Sequence, residues 1–182
     1  MVLSEFQKKK LSLAFNKYDI SKDGVITLSD FEEIAQKVAQ KLGVNSGSPE
    51  HDKITAAYRA LWDGYFKPAD VDGNNQVVLE EYIKACERFI ELPNAIKIGM
   101  ELNKMLYDAI DLDSSESIDE KEFTAFVTTM GSSESDAKIA FSHLDTNKDG
   151  FISREEFAQN LYDYHLTQDT QSPANWFYGS MS

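Results

Sequence analysis

Four twelve-residue segments of this chain repeat one spacing of oxygen-bearing side chains, and no other feature constrains the fold as tightly. The clearest copy runs Asp145-Thr146-Asn147-Lys148-Asp149-Gly150-Phe151-Ile152-Ser153-Arg154-Glu155-Glu156. Oxygen side chains stand at positions 1, 3, 5 and 9, glycine at 6 and glutamate at 12. That spacing wraps oxygens around one point, which suits Ca²⁺, a hard cation taking roughly six to eight oxygen ligands. Asp145, Asn147 and Asp149 would supply side-chain oxygens, Phe151 its backbone carbonyl, Ser153 a water-mediated contact, and Glu156 both carboxylate oxygens. Gly150 makes the sharp turn because a positive φ costs it nothing sterically. Ile152, at position 8, is apolar, as expected of a residue that pairs with a partner loop in a short ribbon.

The other copies keep the frame and vary the chemistry. Residues 19–30 offer Asp19, Ser21, Asp23, the Val25 carbonyl and Asp30, with Gly24 at the turn and Ile26 at position 8. Asp30 is one methylene shorter than glutamate, so it closes the cage only if the loop contracts. That predicts a site more tolerant of the smaller, octahedral Mg²⁺. Residues 70–81 offer Asp70, Asp72, Asn74, the Gln76 carbonyl and Glu81, with Asn75 in place of the turn glycine. Asn enters the left-handed region at little cost. A register with Gly73 at the turn would put Pro68 at position 1 and Leu79 at position 12, and fails. Residues 111–122 offer Asp111, Asp113, Ser115, the Ser117 carbonyl and Glu122, with Asp119 at position 9. Glu116 stands at the turn, where a long side chain at positive φ costs on the order of 1 kcal/mol or more. Two readings stand for this loop, an occupied site and a degenerate one.

Apolar residues at helical spacing flank every loop: Leu11, Phe15 and Tyr18 before the first, Phe31, Ile34 and Val38 after it, and equivalents around the others. Ser4 with Gln7 and Ser133 with Asp136 have the spacing of capping boxes, and Gly131 is placed to end a helix. Pro68 predicts that the helix entering the second loop ends near Phe66. The fold expected is all-α, with four EF-hand helix–loop–helix units in two paired lobes packed into one compact body and short paired strands between loops. Residues 1–92 form the first pair, with loops 19–30 and 70–81. Residues 93–182 form the second, with loops 111–122 and 145–156 and an aromatic tail over 172–182. The joint between halves is placed at residues 92–98.

Composition narrows the partners. The net charge is −13, from 31 acidic against 18 basic residues, which argues against nucleic acid and anionic membranes. Lys8-Lys9-Lys10 reads as a solvated helix face. No window has transmembrane length, residue 2 is Val rather than an acylatable Gly, and no signal peptide is visible, so a cytoplasmic monomer without a membrane anchor is expected. Cys86 reads as a small buried hydrophobe, and His51, His143 and His165 as surface or capping residues. No catalytic constellation is present, and an enzyme is not expected.

The long first interval between loops, the Leu61-Trp62-Asp63-Gly64 run and the tail Ser172-Pro173-Ala174-Asn175-Trp176-Phe177-Tyr178-Gly179 resemble the sarcoplasmic calcium-binding protein family over nearly the whole chain. Calexcitins and luciferin-binding proteins look like its relatives. The resemblance implies a compact cytosolic Ca²⁺/Mg²⁺ buffer, commonly with one or two degenerate loops. Asn75 and Glu116 depart from the family pattern. A calexcitin-like sensor acting on a protein partner is the alternative, poorly supplied with methionines, of which there are five. A luciferin-binding type of small-molecule carrier is the third, with Trp62, Tyr65, Phe141 and Trp176 lining a cavity. The aromatic tail is expected to plug the groove between lobes rather than project into water.

Overall fold

The computed structural model describes residues 3–91 and 95–180, the side chains of residues 90, 95–98, 100 and 102 excepted. Residues 92–94, the centre of the expected joint, lie outside the described residues, as do Met1 and Met181. Among the described residues, eight α-helices flank the four loops in order: α1 Glu5–Tyr18, α2 Leu28–Lys41, α3 Pro49–Leu61, α4 Leu79–Glu91, α5 Ala95–Ile110, α6 Glu120–Thr129, α7 Glu134–Leu144 and α8 Arg154–Leu166. α1 starts where the Ser4 hydroxyl accepts from the Gln7 N–H and the Gln7 side chain accepts from the Ser4 N–H. α7 starts on Ser133, which accepts from the Asp136 N–H. α6 ends as Gly131 turns to φ +83°.

Loops pair through two-residue strands. β1 (Val25–Ile26) runs antiparallel to β2 (Val77–Val78), and β3 (Ser117–Ile118) to β4 (Ile152–Ser153). Position 8 faces position 8 in both ribbons, Ile26 opposite Val77 and Ile118 opposite Ile152. Val77, the residue paired with Ile26, therefore stands at position 8, which sets Asn75, not Gly73, at position 6 of the second loop. The halves meet broadly: α3 packs on α5, α2 on α6 and α1 on α8.

The helix entering the second loop ends at Phe66, as Pro68 predicts, but its last turn is π rather than α and a separate 3-10 turn follows. Past α3, a π turn covers Trp62–Phe66 and a 3-10 turn covers Lys67–Ala69, so helical backbone reaches the loop itself. Near the start of a 3-10 turn the missing proline N–H would have had no partner in any case, which removes the penalty. The wider π turn, closed by the Lys67 N–H on the Trp62 carbonyl, supplies the change of phase.

Lys10 also departs from its solvated reading. It is fully buried, and its ammonium donates to the Thr167 carbonyl at 2.9 Å and to Asn175 Oδ1 at 3.2 Å. The rings of Phe6 and Tyr164 face it at 5.0 and 5.5 Å. Burial lowers its pKa from 10.5 to about 8, against the opposing pull of Asp163. The reason is periodicity: Lys10 shares the inward stripe of Gln7, Leu11 and Ala14, and the C-terminal segment closes over that stripe. Lys8, by contrast, pairs at the surface with Glu5.

The tail forms a 3-10 turn over Pro173–Trp176 and then enters the core. Phe177 is fully buried, edge-on to Phe126 and Phe157. The Tyr178 hydroxyl lies 2.8 Å from that of Tyr18 in α1. Trp176 stacks on His143, and Ser132 donates to the Tyr178 carbonyl. One segment therefore touches helices from both halves.

Candidate metal centres

All four loops share a backbone signature that their sequences only partly reveal. Positions 4 and 6 both take positive φ: Lys22 and Gly24, Gly73 and Asn75, Ser114 and Glu116, Lys148 and Gly150. Glu116 sits at φ +64° and Asn75 at +62°, so each departing turn residue adopts the conformation glycine would have taken. This αL geometry turns the amides of positions 5 and 6 toward the carboxylate at position 1. Asp19 accepts from Asp23 and Gly24, Asp70 from Asn74 and Asn75, Asp111 from Ser115 and Glu116, and Asp145 from Asp149 and Gly150.

Position 12 is held equally firmly, because it serves twice. Thr27, Asp119 and Ser153 at position 9 cap α2, α6 and α8, and the position-12 acids Asp30, Glu122 and Glu156 complete the capping boxes. In the second loop Val78 has no capping side chain, and Glu81 accepts only the Val78 N–H from that side. The other oxygen of each position-12 acid reaches across the loop. Glu81, Glu122 and Glu156 accept from the position-2 amides of Val71, Leu112 and Thr146. Asp30, one methylene shorter, accepts instead from Ser21 at position 3.

The second and third loops gather the densest charge. Oxygens of Asp70, Asp72 and Glu81 lie within 4.8 Å of one another, and so do those of Asp111, Asp113 and Glu122. Both triads occupy positions 1, 3 and 12. The first and fourth loops have Ser21 and Asn147 at position 3, so the same positions there gather two acids and a neutral oxygen. Asp23, Asn74 and Asp149 at position 5 each accept the amide of position 7, that is Val25, Gln76 and Phe151. In the third loop Ser115 instead donates its hydroxyl to the Ser117 carbonyl at 2.9 Å. Positions 1, 3 and 12 of the second and third loops thus bring their carboxylates together, and in all four loops amides of the loop hold the carboxylates at positions 1 and 12. The set fits a hard divalent cation: oxygen donors alone, with carboxylates close enough to repel until a cation sits among them.

The acids differ in environment. Burial pushes Glu122 above the usual carboxylate range, against hydrogen bonds from Asp119 and Leu112. Burial also pushes on Glu156, but donors from Ser153, Thr146 and Asn147 outweigh it and hold the carboxyl below that range. Ser115 holds Asp113 low as well.

Periodicity alone passed over Tyr107. It is fully buried in α5, and its hydroxyl lies 3.0 Å from the Glu116 carbonyl and 3.1 Å from that of Ile152. Burial raises its pKa to about 12, so the hydroxyl keeps its proton. Aligning the loops would have revealed it: four residues before position 1 stand Phe15, Phe66, Tyr107 and Phe141. The four aromatics read as a cavity lining sit in separate ring pairs, Trp62 with Phe31, Tyr65 with Phe89, Phe141 with Phe123 and Trp176 with His143.

Comparison with known proteins agrees with this architecture. A family model described as an EF-hand domain pair matches residues 100–162, and one described as an EF hand matches residues 11–35. The matched segments are EF hands. Calerythrin of Saccharopolyspora erythraea is 27% identical over 160 residues, 86% of this chain and 90% of calerythrin. A sarcoplasmic calcium-binding protein of Perinereis vancaurica tetradentata is 28% identical over 129 residues, 70% of this chain and 71% of its own. The EF-hand body superposes on the Ca-loaded apo form of the coelenterazine-binding protein of Renilla muelleri with a TM-score of 0.81 and 22% identity, covering 98% of this chain and 99% of that one. Sarcoplasmic calcium-binding proteins are thus among the relatives of this EF-hand chain, and the fold is theirs. Among the described residues, no helix is long and apolar enough to cross a membrane.

Proposed function

We propose that this EF-hand protein is a calcium buffer, acting as a monomer in the cytoplasm and taking up Ca²⁺, with Mg²⁺ as a competitor, at loops 19–30, 70–81, 111–122 and 145–156. The residues that would hold the ion are those of the repeated spacing: Asp19, Ser21, Asp23, Val25 and Asp30; Asp70, Asp72, Asn74, Gln76 and Glu81; Asp111, Asp113, Ser115, Ser117 and Glu122; Asp145, Asn147, Asp149, Phe151, Ser153 and Glu156. When bound, the cation relieves repulsion among these acids, and the chain's own amides keep them aimed at one point. The two halves, residues 1–92 and 93–182, act as paired-loop units. The observation that carries the buffer reading is the tail. Phe177 and Tyr178 fill the apolar space between α1, α6 and α8, the kind of surface a sensor must expose to reach a partner.

Magnesium competes most strongly at the first loop. Asp30 reaches the position-3 amide but not that of position 2, whereas all three glutamates reach position 2, Glu156 adding position 3, which supports a tighter ring there. Asp30→Glu is expected to shift the Ca²⁺-to-Mg²⁺ affinity ratio of that loop toward Ca²⁺ by about tenfold, the scale on which ligand reach and site rigidity tune such loops. Calorimetric titration of each ion on wild type and variant reads the ratio. An unchanged ratio contradicts the assignment.

A second reading, a small-molecule carrier, has its own observation. The buried Tyr58 hydroxyl has no hydrogen-bond partner among the described residues. It lies within electrostatic range of Tyr18, as do Tyr65, Tyr82, Tyr164 and Tyr178. Burial raises all five, so they remain neutral donors, a polar cluster in an apolar core. The likeness to a coelenterazine-binding protein points the same way. Mass spectrometry of an organic extract of the purified protein tests it; a stoichiometric aromatic compound would favour the carrier over the buffer.

A further inference from the structure

We infer that Tyr107 is a positioning residue that lends the order of the fourth loop to the third, compensating for the strained turn at Glu116. The inference deepens the proposal that the third loop binds Ca²⁺ and rests on it. Three observations converge. Among the four turn residues at position 6, Glu116 is the costliest at positive φ, since Gly24 and Gly150 are unstrained and Asn75 tolerates the region. Among the four aromatics preceding the loops, Tyr107 is the one with a hydroxyl, and it belongs to the same unit as Glu116. That hydroxyl lies 3.0 Å from the Glu116 carbonyl, on the strained residue itself.

The other end of the tether is the fourth loop. The same hydroxyl lies 3.1 Å from the carbonyl of Ile152, at position 8 of the stronger motif, so its one proton is shared between two loops. Fourth-loop side chains also clamp the ring. The Arg154 guanidinium sits 4.5 Å from its centre and is anchored to Asp108, and Phe157 meets it edge-on at 5.6 Å. With the ring held from the fourth helix–loop–helix unit, the hydroxyl bonds the Glu116 carbonyl while Glu116 stands in the αL conformation. The Glu116 amide then meets Asp111 at 3.1 Å, aiming the position-1 carboxylate of the third loop. Tyr107 touches no ligand oxygen of its own. It acts through the turn.

The test uses Tyr107→Phe, Glu116→Gly and the double variant in the full chain. Two readouts are taken: amide hydrogen exchange at residues 115–118 without calcium, and site-resolved Ca²⁺ titration by NMR. Tyr107→Phe keeps the ring and its packing and removes only the tether. Exchange at 115–118 is expected to quicken and third-site affinity to fall, each about fivefold for one buried hydrogen bond, with the fourth site within about twofold of wild type. Glu116→Gly in the same background is expected to restore both, because a glycine turn no longer needs the tether. If Tyr107→Phe loosens all loops alike, or if Glu116→Gly fails to rescue, Tyr107 is only core and the inference falls. Should the wild-type third loop bind no Ca²⁺, the proposed occupancy fails while the exchange measurement still decides the role of Tyr107: faster exchange cured by Glu116→Gly upholds it, and unchanged exchange overturns it.

Discussion

Removal of residues 173–182 lowers the melting temperature by on the order of 10 °C and exposes apolar surface to a hydrophobic dye. The magnitude follows from what the tail fills. Phe177 is fully buried between Phe126 and Phe157, and Tyr178 packs edge-on against Tyr18 and Tyr164. Emptying one large aromatic site in a core costs about 3–5 kcal/mol. For a chain of this size each kcal/mol moves the midpoint by roughly 2–4 °C. Truncation also takes Asn175 from Lys10, leaving a buried ammonium with fewer acceptors. Tyr178→Phe, which keeps the packing and loses only the hydroxyl pair with Tyr18, is expected to cost about 1 kcal/mol. A truncated protein that melts with wild type would refute the role of the tail as a plug. Calorimetry of the calcium-free proteins distinguishes the outcomes.

Glu156→Gln is expected to weaken Ca²⁺ binding at the fourth loop by on the order of a hundredfold, since affinity in such loops is tuned over decades by ligand charge and rigidity. Calcium-free stability should fall far less, by about 1 kcal/mol, because the amide oxygen still accepts in the capping box with Ser153. The contrast between a large loss of binding and a small loss of stability separates a ligand from a purely structural cap. Isothermal titration together with calcium-free melting reads both. If the two effects came out alike in size, Glu156 would be a cap and nothing more.

Much of this architecture was legible because one motif carries several physical demands at once. Positions 9 and 12 are spaced as a capping box in the first, third and fourth loops, so ligand spacing there also announces where the exit helix begins. Position 8 is apolar because it pairs across a ribbon, and this fixed the register of the second loop despite its missing turn glycine. Three features escaped for reasons of range. Lys10 sits on an apolar stripe, but what covers that stripe lies more than a hundred residues away, at Thr167 and Asn175. Pro68 forbids an α-helical N–H, yet a π turn followed by a 3-10 turn avoids the demand, and no local signal announces that pair. Periodicity passes over Tyr107, because its role lies in a hydroxyl that bonds two carbonyls on separate loops. Loop chemistry is local and can be read from spacing; tethers between loops and lobes are not.

The closed buffer is tested most directly by a Ca²⁺ titration in millimolar Mg²⁺, following the fluorescence of a hydrophobic dye alongside the heat of binding. Heat of binding with a flat or falling dye signal is the expected result, because the tail stays seated between the halves while the loops fill. A dye signal that rises with Ca²⁺ would mean that a groove opens, and would replace the buffer with a sensor.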